Sequence, residues 1–106
     1  MLECNETNFA DTQKGVSLLL CEALWCPHCH AMHPVLTEAE RDYPALRCYR
    51  VNIENNPTLS ARFSIRSVPT LILFRDGREL GRAFGFLRNL EQFLTEAGVE
   101  RSKAHV

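Results

Sequence analysis

An apolar run that leads directly into a helix carrying two cysteines constrains the fold of this chain most. Residues 16–24 form the run and indicate a buried central strand. Pro27 suits the first position of a helix, and one helical turn places Cys26 and Cys29 on the same side. Unpaired N–H groups and the helix dipole favour a thiolate at Cys26, the exposed start of that helix. The pattern therefore predicts a disulfide-exchange site at the carboxyl end of a central strand.

The composition is that of one ordinary globular domain. The chain has 106 residues, of which 45% are hydrophobic and 24% charged, and its net charge is −1. Near-neutral charge argues against nucleic acid or an anionic membrane as a partner. The first residues lack the basic and apolar segments of a secretory signal, and the longest apolar run is too short to cross a bilayer. We expect a single, monomeric, cytoplasmic domain over residues 1–106, with a flexible tail at 99–106.

The number of cysteines supports a reducing compartment. Five cysteines cannot all pair within one chain, which argues against a disulfide scaffold. We expect Cys4, Cys21 and Cys48 to be free thiols, the latter two buried in strands as small hydrophobic residues.

Hydrophobic periodicity predicts an α/β fold with a mixed sheet. After the apolar strand comes a long helix over residues 27–43, which contains Pro34 and should kink there. The remaining predicted elements are a helix-like stretch at 5–14, strands at 46–53, 70–74 and 79–84, a short helix at 56–63, a turn at Asp76–Gly77 and an amphipathic helix at 87–97. Strand–helix alternation gives a parallel half and the hairpin gives an antiparallel half.

With these motifs in this order, the chain resembles the thioredoxin family over roughly residues 5–97. The matching motifs are Trp25-Cys-x-x-Cys29, Pro34, Val51-Asn52-Ile53-Glu54-Asn55-Asn56-Pro57, Ser67-Val68-Pro69-Thr70, Phe74-x-x-Gly77 and Gly85. The resemblance implies a thioredoxin fold, a mixed central sheet flanked by helices. Because the N-terminus is short, the first edge strand of that sheet is expected to be missing.

The resemblance implies a thiol–disulfide oxidoreductase. Cys26 would attack a client disulfide, and Cys29 would resolve the mixed disulfide and leave a Cys26–Cys29 disulfide. Pro69 would be a cis proline facing the site, and the backbone of Val68 would pair with a substrate peptide as an added strand. From the residues alone, the first interpretation of Pro69 is an ordinary trans proline that begins a strand; the resemblance favours the cis form.

Two further residues complete the substrate-binding site that the resemblance implies, Trp25 and Gly85. Trp25 would form an apolar rim beside the cysteines. The alternative interpretation is that Trp25 is a buried core residue.

Three departures from common thioredoxins bear on chemistry. Pro27-His28 separates the cysteines where Gly-Pro is usual, and an imidazolium at His28 would stabilise a thiolate at Cys26. The resemblance therefore predicts a couple more oxidising than that of ordinary thioredoxin. Leu20 replaces a buried aspartate, and Glu22 replaces a tryptophan. Glu22 shares the strand face of Leu20, so it is either a substitute proton acceptor or an ordinary surface glutamate.

Other functional classes stay open on sequence alone. A c-type haem attachment motif also matches the segment Cys26-Pro27-His28-Cys29-His30. A zinc site is a second alternative, with Cys26, Cys29, His30 and His33 as its ligands. Both histidines also fit the solvated surface of a helix. A disulfide donor or isomerase, or a binding module without turnover, are further alternatives. The resemblance implies no cofactor and no metal. It implies two kinds of partner: disulfide-containing client proteins, and a thioredoxin-reductase-type flavoprotein or a small dithiol as electron source.

Overall fold

A five-stranded mixed sheet with helices on both faces organises the computed structural model, which describes residues 1–101. Its elements are β1 (Leu2–Glu3), a 3₁₀ helix (Phe9–Gln13), β2 (Val16–Glu22), α1 (Pro27–Asp42), β3 (Leu46–Asn52), α2 (Pro57–Arg62), β4 (Thr70–Arg75), β5 (Arg78–Phe84) and α3 (Leu90–Glu96). The strand order is β1-β3-β2-β4-β5. Strands β1, β3 and β2 are parallel to one another, β4 pairs antiparallel with β2, and β5 pairs antiparallel with β4. The predicted mixed sheet is confirmed.

The central strand β2 is buried on both faces, which explains its continuous apolar sequence. Leu18 and Leu20 pack into a cluster with α1 and α3. Leu19 and Cys21 point to the opposite face and pack with the 3₁₀ helix and α2. The strand emerges from this packing only at its carboxyl end, at Glu22, from which the chain continues into α1.

The hairpin between β4 and β5 forms at the predicted Asp76–Gly77 turn. Both residues have positive φ, 47° and 84°, as a two-residue hairpin turn of the favoured hand requires. The turn is tied to the start of β2, because the Gly15 N–H donates to Asp76 Oδ1 at 2.8 Å and the Asp76 N–H donates to the Gly15 carbonyl at 2.9 Å. This link fixes the antiparallel half of the sheet against the central strand.

The N-terminal part of the chain differs from expectation in two respects. The edge strand that we expected to be missing is present as β1, two residues paired with Tyr49 and Arg50 of β3. Two residues are too few for an alternating pattern to be visible in the sequence. The predicted helix at 5–14 is reduced to the 3₁₀ helix, because Asn5 and Asn8 bond to local backbone N–H groups instead of allowing the helix to begin.

The end of the described chain makes more contacts with the rest of the domain than expected. Val99 is buried, and its N–H donates to the carbonyl of Leu94 at 3.0 Å. The guanidinium of Arg101 lies 2.9 Å from Glu91 and 3.6 Å from Asp42. The expectation of a flexible tail did not include these contacts of Val99 and Arg101, and the rest of that tail, 102–106, lies outside the described residues. Among residues 1–101, no helix is long and apolar enough to cross a membrane.

Candidate active site

Cys26 stands immediately before α1 and caps it with its sulfur. Its backbone is extended (φ −96°, ψ 106°), and its Sγ accepts the Cys29 N–H at 3.2 Å. Pro27 occupies the first turn, where its missing N–H costs nothing. An N–H group directed at the sulfur from a helix N-terminus stabilises negative charge there. The backbone of α1 thus supports Cys26 in the role of a nucleophile.

The side chain of Cys26 is less accessible than the sequence suggested. Only 3% of the residue is exposed, so the expectation of an exposed thiol is wrong. Ala23, Cys29 and Val68 pack around it and cover most of its surface. A substrate can therefore reach this sulfur only through the small part of the residue that stays exposed.

Cys29 lies one turn into α1 and is fully buried. Burial raises the pKa of the Cys29 thiol well above its usual range, and the hydrogen bond with Cys26 and the negative charges of Cys26 and Glu22 act in the same direction. The Cys29 thiol therefore holds its proton at neutral pH. To attack a disulfide it must transfer that proton to a base.

The loop that faces the cysteines contains the cis peptide bond Val68–Pro69. The cis geometry agrees with the resemblance, and Val68 packs against the cysteine pair. Gly85, with φ at 76°, donates its N–H to the Pro69 carbonyl at 2.9 Å. On the other side of the loop, Thr70 Oγ1 donates to the Ser67 carbonyl at 2.8 Å. Gly85 therefore braces the cis-proline loop.

Large apolar side chains near Cys26 are exposed to solvent. Trp25 is 68% exposed, which decides against a place in the core. Phe86 is also exposed, and its ring centroid lies 6.4 Å from that of His28. Phe84 pairs with Thr70 across the hairpin, next to Pro69, and is also exposed. The two phenylalanines were not predicted from the sequence, although the pattern of an aromatic residue on each side of Gly85 could have indicated them.

Glu22 forms a hydrogen-bonded pair with His33. Its Oε1 lies 2.6 Å from His33 Nε2, and the exposed fractions of the two side chains are 12% and 31%. Glu22 follows Leu20 on the face of β2 that packs against α1, as the register predicted. Leu20 is fully buried among apolar side chains and offers no polar atom. The nearest acid to the cysteines on this face is thus Glu22.

The histidines of α1 have partners that the zinc interpretation did not anticipate. His33 bonds to Glu22, and His30 Nε2 lies 2.9 Å from the carbonyl oxygen of Leu24. Within residues 1–101, no group of three or more His, Cys, Asp or Glu side chains is arranged to hold a metal ion. Treating His33 as an ordinary solvated residue missed a site contact, although its position four residues after Cys29 places both on one helix face.

Fold and site together define a class of protein. A mixed sheet of this strand order, with a Cys-x-x-Cys pair at the carboxyl end of its central strand and a cis proline beside the pair, is the framework of a thiol–disulfide oxidoreductase with a thioredoxin fold.

Comparison with known proteins gives the family. The family model "Thioredoxin" matches residues 1–96. Thioredoxin of Staphylococcus saprophyticus is 35% identical over 88 residues, covering 81% of this chain and 85% of that protein. Thioredoxin of Chlamydia trachomatis is 37% identical over 82 residues, covering 76% and 80%. The chain belongs to the thioredoxin family.

Solved structures agree with this assignment. Oxidised mitochondrial thioredoxin 3 of Saccharomyces cerevisiae superposes with a TM-score of 0.81 at 25% identity, covering 91% of this chain and 94% of that one. A mutant thioredoxin from Halobacterium salinarum gives 0.78 at 27% identity, covering 93% and 90%. The protein is thus a thioredoxin-like thiol–disulfide oxidoreductase with a mixed five-stranded sheet.

Proposed function

We propose that the protein exchanges disulfides with client proteins through Cys26 and Cys29, and that this couple is more oxidising than that of ordinary thioredoxin. The observation that carries the proposal is the capping of α1 by the Cys26 sulfur, which accepts the Cys29 N–H at 3.2 Å. The cis-proline loop beside it, held by Gly85, supplies the neighbouring backbone at which a client strand is expected to pair.

The reaction has two exchange steps. The Cys26 thiolate attacks one sulfur of a client disulfide, the client S–S bond breaks, and a mixed disulfide forms. Cys29 then loses its proton and attacks the Cys26 sulfur, releasing the second client thiolate and forming the Cys26–Cys29 disulfide. Two electrons pass from the dithiol to the client. Glu22 is the base proposed for Cys29, supported by its charge near that thiol and by the replacement of the family's buried aspartate by Leu20.

His28 is the proposed tuning residue of the couple. It lies in the first turn of α1, between the two cysteines, in an exposed position facing Phe86. When its ring is protonated, the positive charge stabilises a neighbouring thiolate, so it favours the reduced form and raises the potential. Pro27 keeps the first turn rigid around both residues.

The substrate-binding surface is proposed to consist of Trp25, Val68, Pro69 and Gly85. Trp25 presents an apolar face that a client can cover, and the other three belong to the braced loop. Clients are therefore expected to be proteins with an accessible disulfide in an extended segment. Electrons are proposed to come from a thioredoxin-reductase-type flavoprotein or a small dithiol. The five free thiols support work in a reducing compartment such as the cytoplasm.

The redox equilibrium with glutathione tests the proposal. The wild-type protein is expected to have a potential above the value of about −270 mV typical of thioredoxin. His28→Gln removes the titratable charge and is expected to lower the potential by about 30 mV, a tenfold change in the equilibrium constant. His30→Gln is the matched control, because His30 bonds to the Leu24 carbonyl and lies outside the cysteine turn.

Two outcomes would contradict the proposal of a more oxidising couple tuned by His28. A wild-type potential at or below the thioredoxin value removes the claim of a more oxidising couple. Equal potentials for the wild type and His28→Gln remove the role of His28. A potential close to about −120 mV, at the oxidising end of known dithiol proteins, instead supports a disulfide donor or isomerase.

A further inference from the structure

The face of α1 that carries the resolving cysteine also carries His33. Cys29 and His33 are four residues apart, so their side chains are neighbours on the helix surface. His33 Nε2 reaches Glu22 Oε1 at 2.6 Å, from α1 to the end of β2. The charge of Glu22 also acts on the Cys29 thiol, so the thiol, the Glu22 carboxylate and the His33 imidazole form one electrostatic cluster of groups that can hold a proton.

Burial decreases along this cluster from the thiol outward. Cys29 is fully buried, the Glu22 side chain is 12% exposed, and the His33 side chain is 31% exposed. If the largely buried Glu22 carboxylate accepts a proton, it must release that proton before it can act again in the next turnover. The imidazole is the most exposed of the three, and it bonds directly to the carboxylate.

We propose that His33 positions Glu22 for the resolving step and shares the proton that Glu22 takes from Cys29. The inference rests on the proposed function. In the step, the Cys29 S–H bond breaks and the proton moves to the Glu22–His33 pair. The Cys29 sulfur bonds to the Cys26 sulfur, the bond from Cys26 to the client sulfur breaks, and the pair returns the proton to solvent or to the departing client thiolate. No other oxidant or reductant takes part.

Few charged groups face the pair from the packed elements. On α1 the titratable neighbours are Cys29 and His30, whose ring centroid lies 5.6 Å from that of His33. On β3 the register places Arg50 opposite Leu20 and neutral Asn52 opposite Glu22. On β4 the residue opposite Leu20 is the apolar Leu71.

A single-turnover experiment isolates the resolving step. Cys26 is converted to a mixed disulfide with nitrothiobenzoate, and Cys29 then releases the coloured thiol at a rate followed by absorbance between pH 5 and pH 9. Glu22→Gln is expected to slow release about 100-fold at pH 7, and His33→Gln about tenfold, with a flattened pH profile in the neutral range. The double variant is expected to be no slower than Glu22→Gln, because His33 acts through Glu22.

The variants separate the two hypotheses. If Glu22→Gln releases the thiol as fast as the wild type, Glu22 is not the base and the proposed mechanism fails at that point. If Glu22→Gln slows release but His33→Gln keeps the wild-type rate and pH profile, the role of His33 is refuted. It is also refuted if His33→Gln slows release by the same factor in the wild type and in the Glu22→Gln variant. His30→Gln is the matched control and is expected to retain the wild-type pH profile.

A second measurement does not depend on catalysis. In the nitrogen NMR spectrum of protein with labelled histidine, the His33 ring signals are expected to differ between the wild type and Glu22→Gln, and between the reduced protein and the mixed disulfide. A contact that only stabilises the fold would lower the free energy of unfolding of His33→Gln and leave the pH profile of release unchanged. Ring signals that respond to neither change would overturn the inference.

Discussion

The five thiols of this protein are all buried, yet their surroundings differ. Cys26 and Cys29 lie at the start of a helix, where backbone N–H groups point at sulfur. Cys4, Cys21 and Cys48 lie within or beside strands, in the two apolar clusters. Burial raises the pKa of Cys21 to about 12, and burial together with the charge of Glu40 does the same for Cys48. We therefore expect the reactivity of the five buried thiols to differ with their local structure.

Alkylation of the native protein tests this difference. With iodoacetamide at pH 7, we expect Cys26 to be modified first, and Cys4, Cys21 and Cys48 to stay unmodified because they are both covered and protonated. Peptide mapping by mass spectrometry identifies the sites. In urea all five should react, which serves as the control. Modification of Cys48 in the native protein as fast as Cys26 would contradict the assignment of the nucleophile.

At the residue scale, motif and spacing predicted most of the site. The Cys-x-x-Cys pair at a helix start predicted the two site cysteines, and the family resemblance carried by the Val-Pro-Thr segment predicted the cis proline. The Glu22–His33 hydrogen bond could not be predicted in this way, because it joins a strand end to a helix turn eleven residues away. The small exposure of Cys26 was also missed, since it results from Val68, a residue far along the chain.

At the element scale, the connection from β5 towards α3 depends on a glycine. Gly85 has a φ of 76°, in the region where side chains are strained, and its N–H holds the Pro69 carbonyl. A Cβ at this position would meet nothing within 4 Å, so the strain of a substitution is conformational and not steric. Gly81, within β5, differs in that its backbone is extended and a Cβ there would make an ordinary contact of 3.5 Å with Phe93.

The two glycines form a matched pair of variants. Gly85→Ala is expected to lower the free energy of unfolding by about 1 kcal/mol or somewhat more, the cost of a left-handed backbone for a residue with a Cβ. Gly81→Ala is expected to be neutral or slightly stabilising, because alanine loses less backbone entropy in a strand. Urea unfolding measures both. Equal losses at the two positions would show that the backbone of Gly85 is not the cause.

Long elements were predictable from the sequence and short ones were not. The apolar strand, the long helix and the Asp76–Gly77 hairpin have enough residues for a periodicity or a turn signature to appear. The two-residue strand β1 is held by hydrogen bonds to β3 and has no pattern of its own. Residues 99–101 looked like a tail because they follow Gly98, but Val99 reaches back into the core next to α3.

At the scale of the whole molecule, the buried thiols couple folding to pH. The pKa of Cys21 and that of Cys48 both rise from 9.0 to about 12 in the folded protein. Between pH 9 and pH 12, the two thiols therefore keep their protons in the folded state but lose them in the unfolded chain. The stability they contribute is complete below pH 9 and falls as the pH rises towards 12.

The free energy of unfolding is therefore expected to decrease by roughly 2 kcal/mol between pH 9 and pH 10 from these two thiols together. Urea titrations at pH 7, 8, 9 and 10 measure the slope. The control is the Cys21→Ala/Cys48→Ala variant, whose slope should be distinctly flatter even if its stability at pH 7 is lower. An identical slope in both proteins would show that other groups control the alkaline loss of stability.

The small exposed fraction of Cys26, 3%, has a consequence for which client disulfides can react. Because Ala23, Cys29 and Val68 pack around this sulfur atom, a disulfide in a slender projecting segment can approach it more closely than one recessed in a compact surface. We therefore expect the disulfides of loosely folded chains to be exchanged faster than those of compact, fully folded proteins.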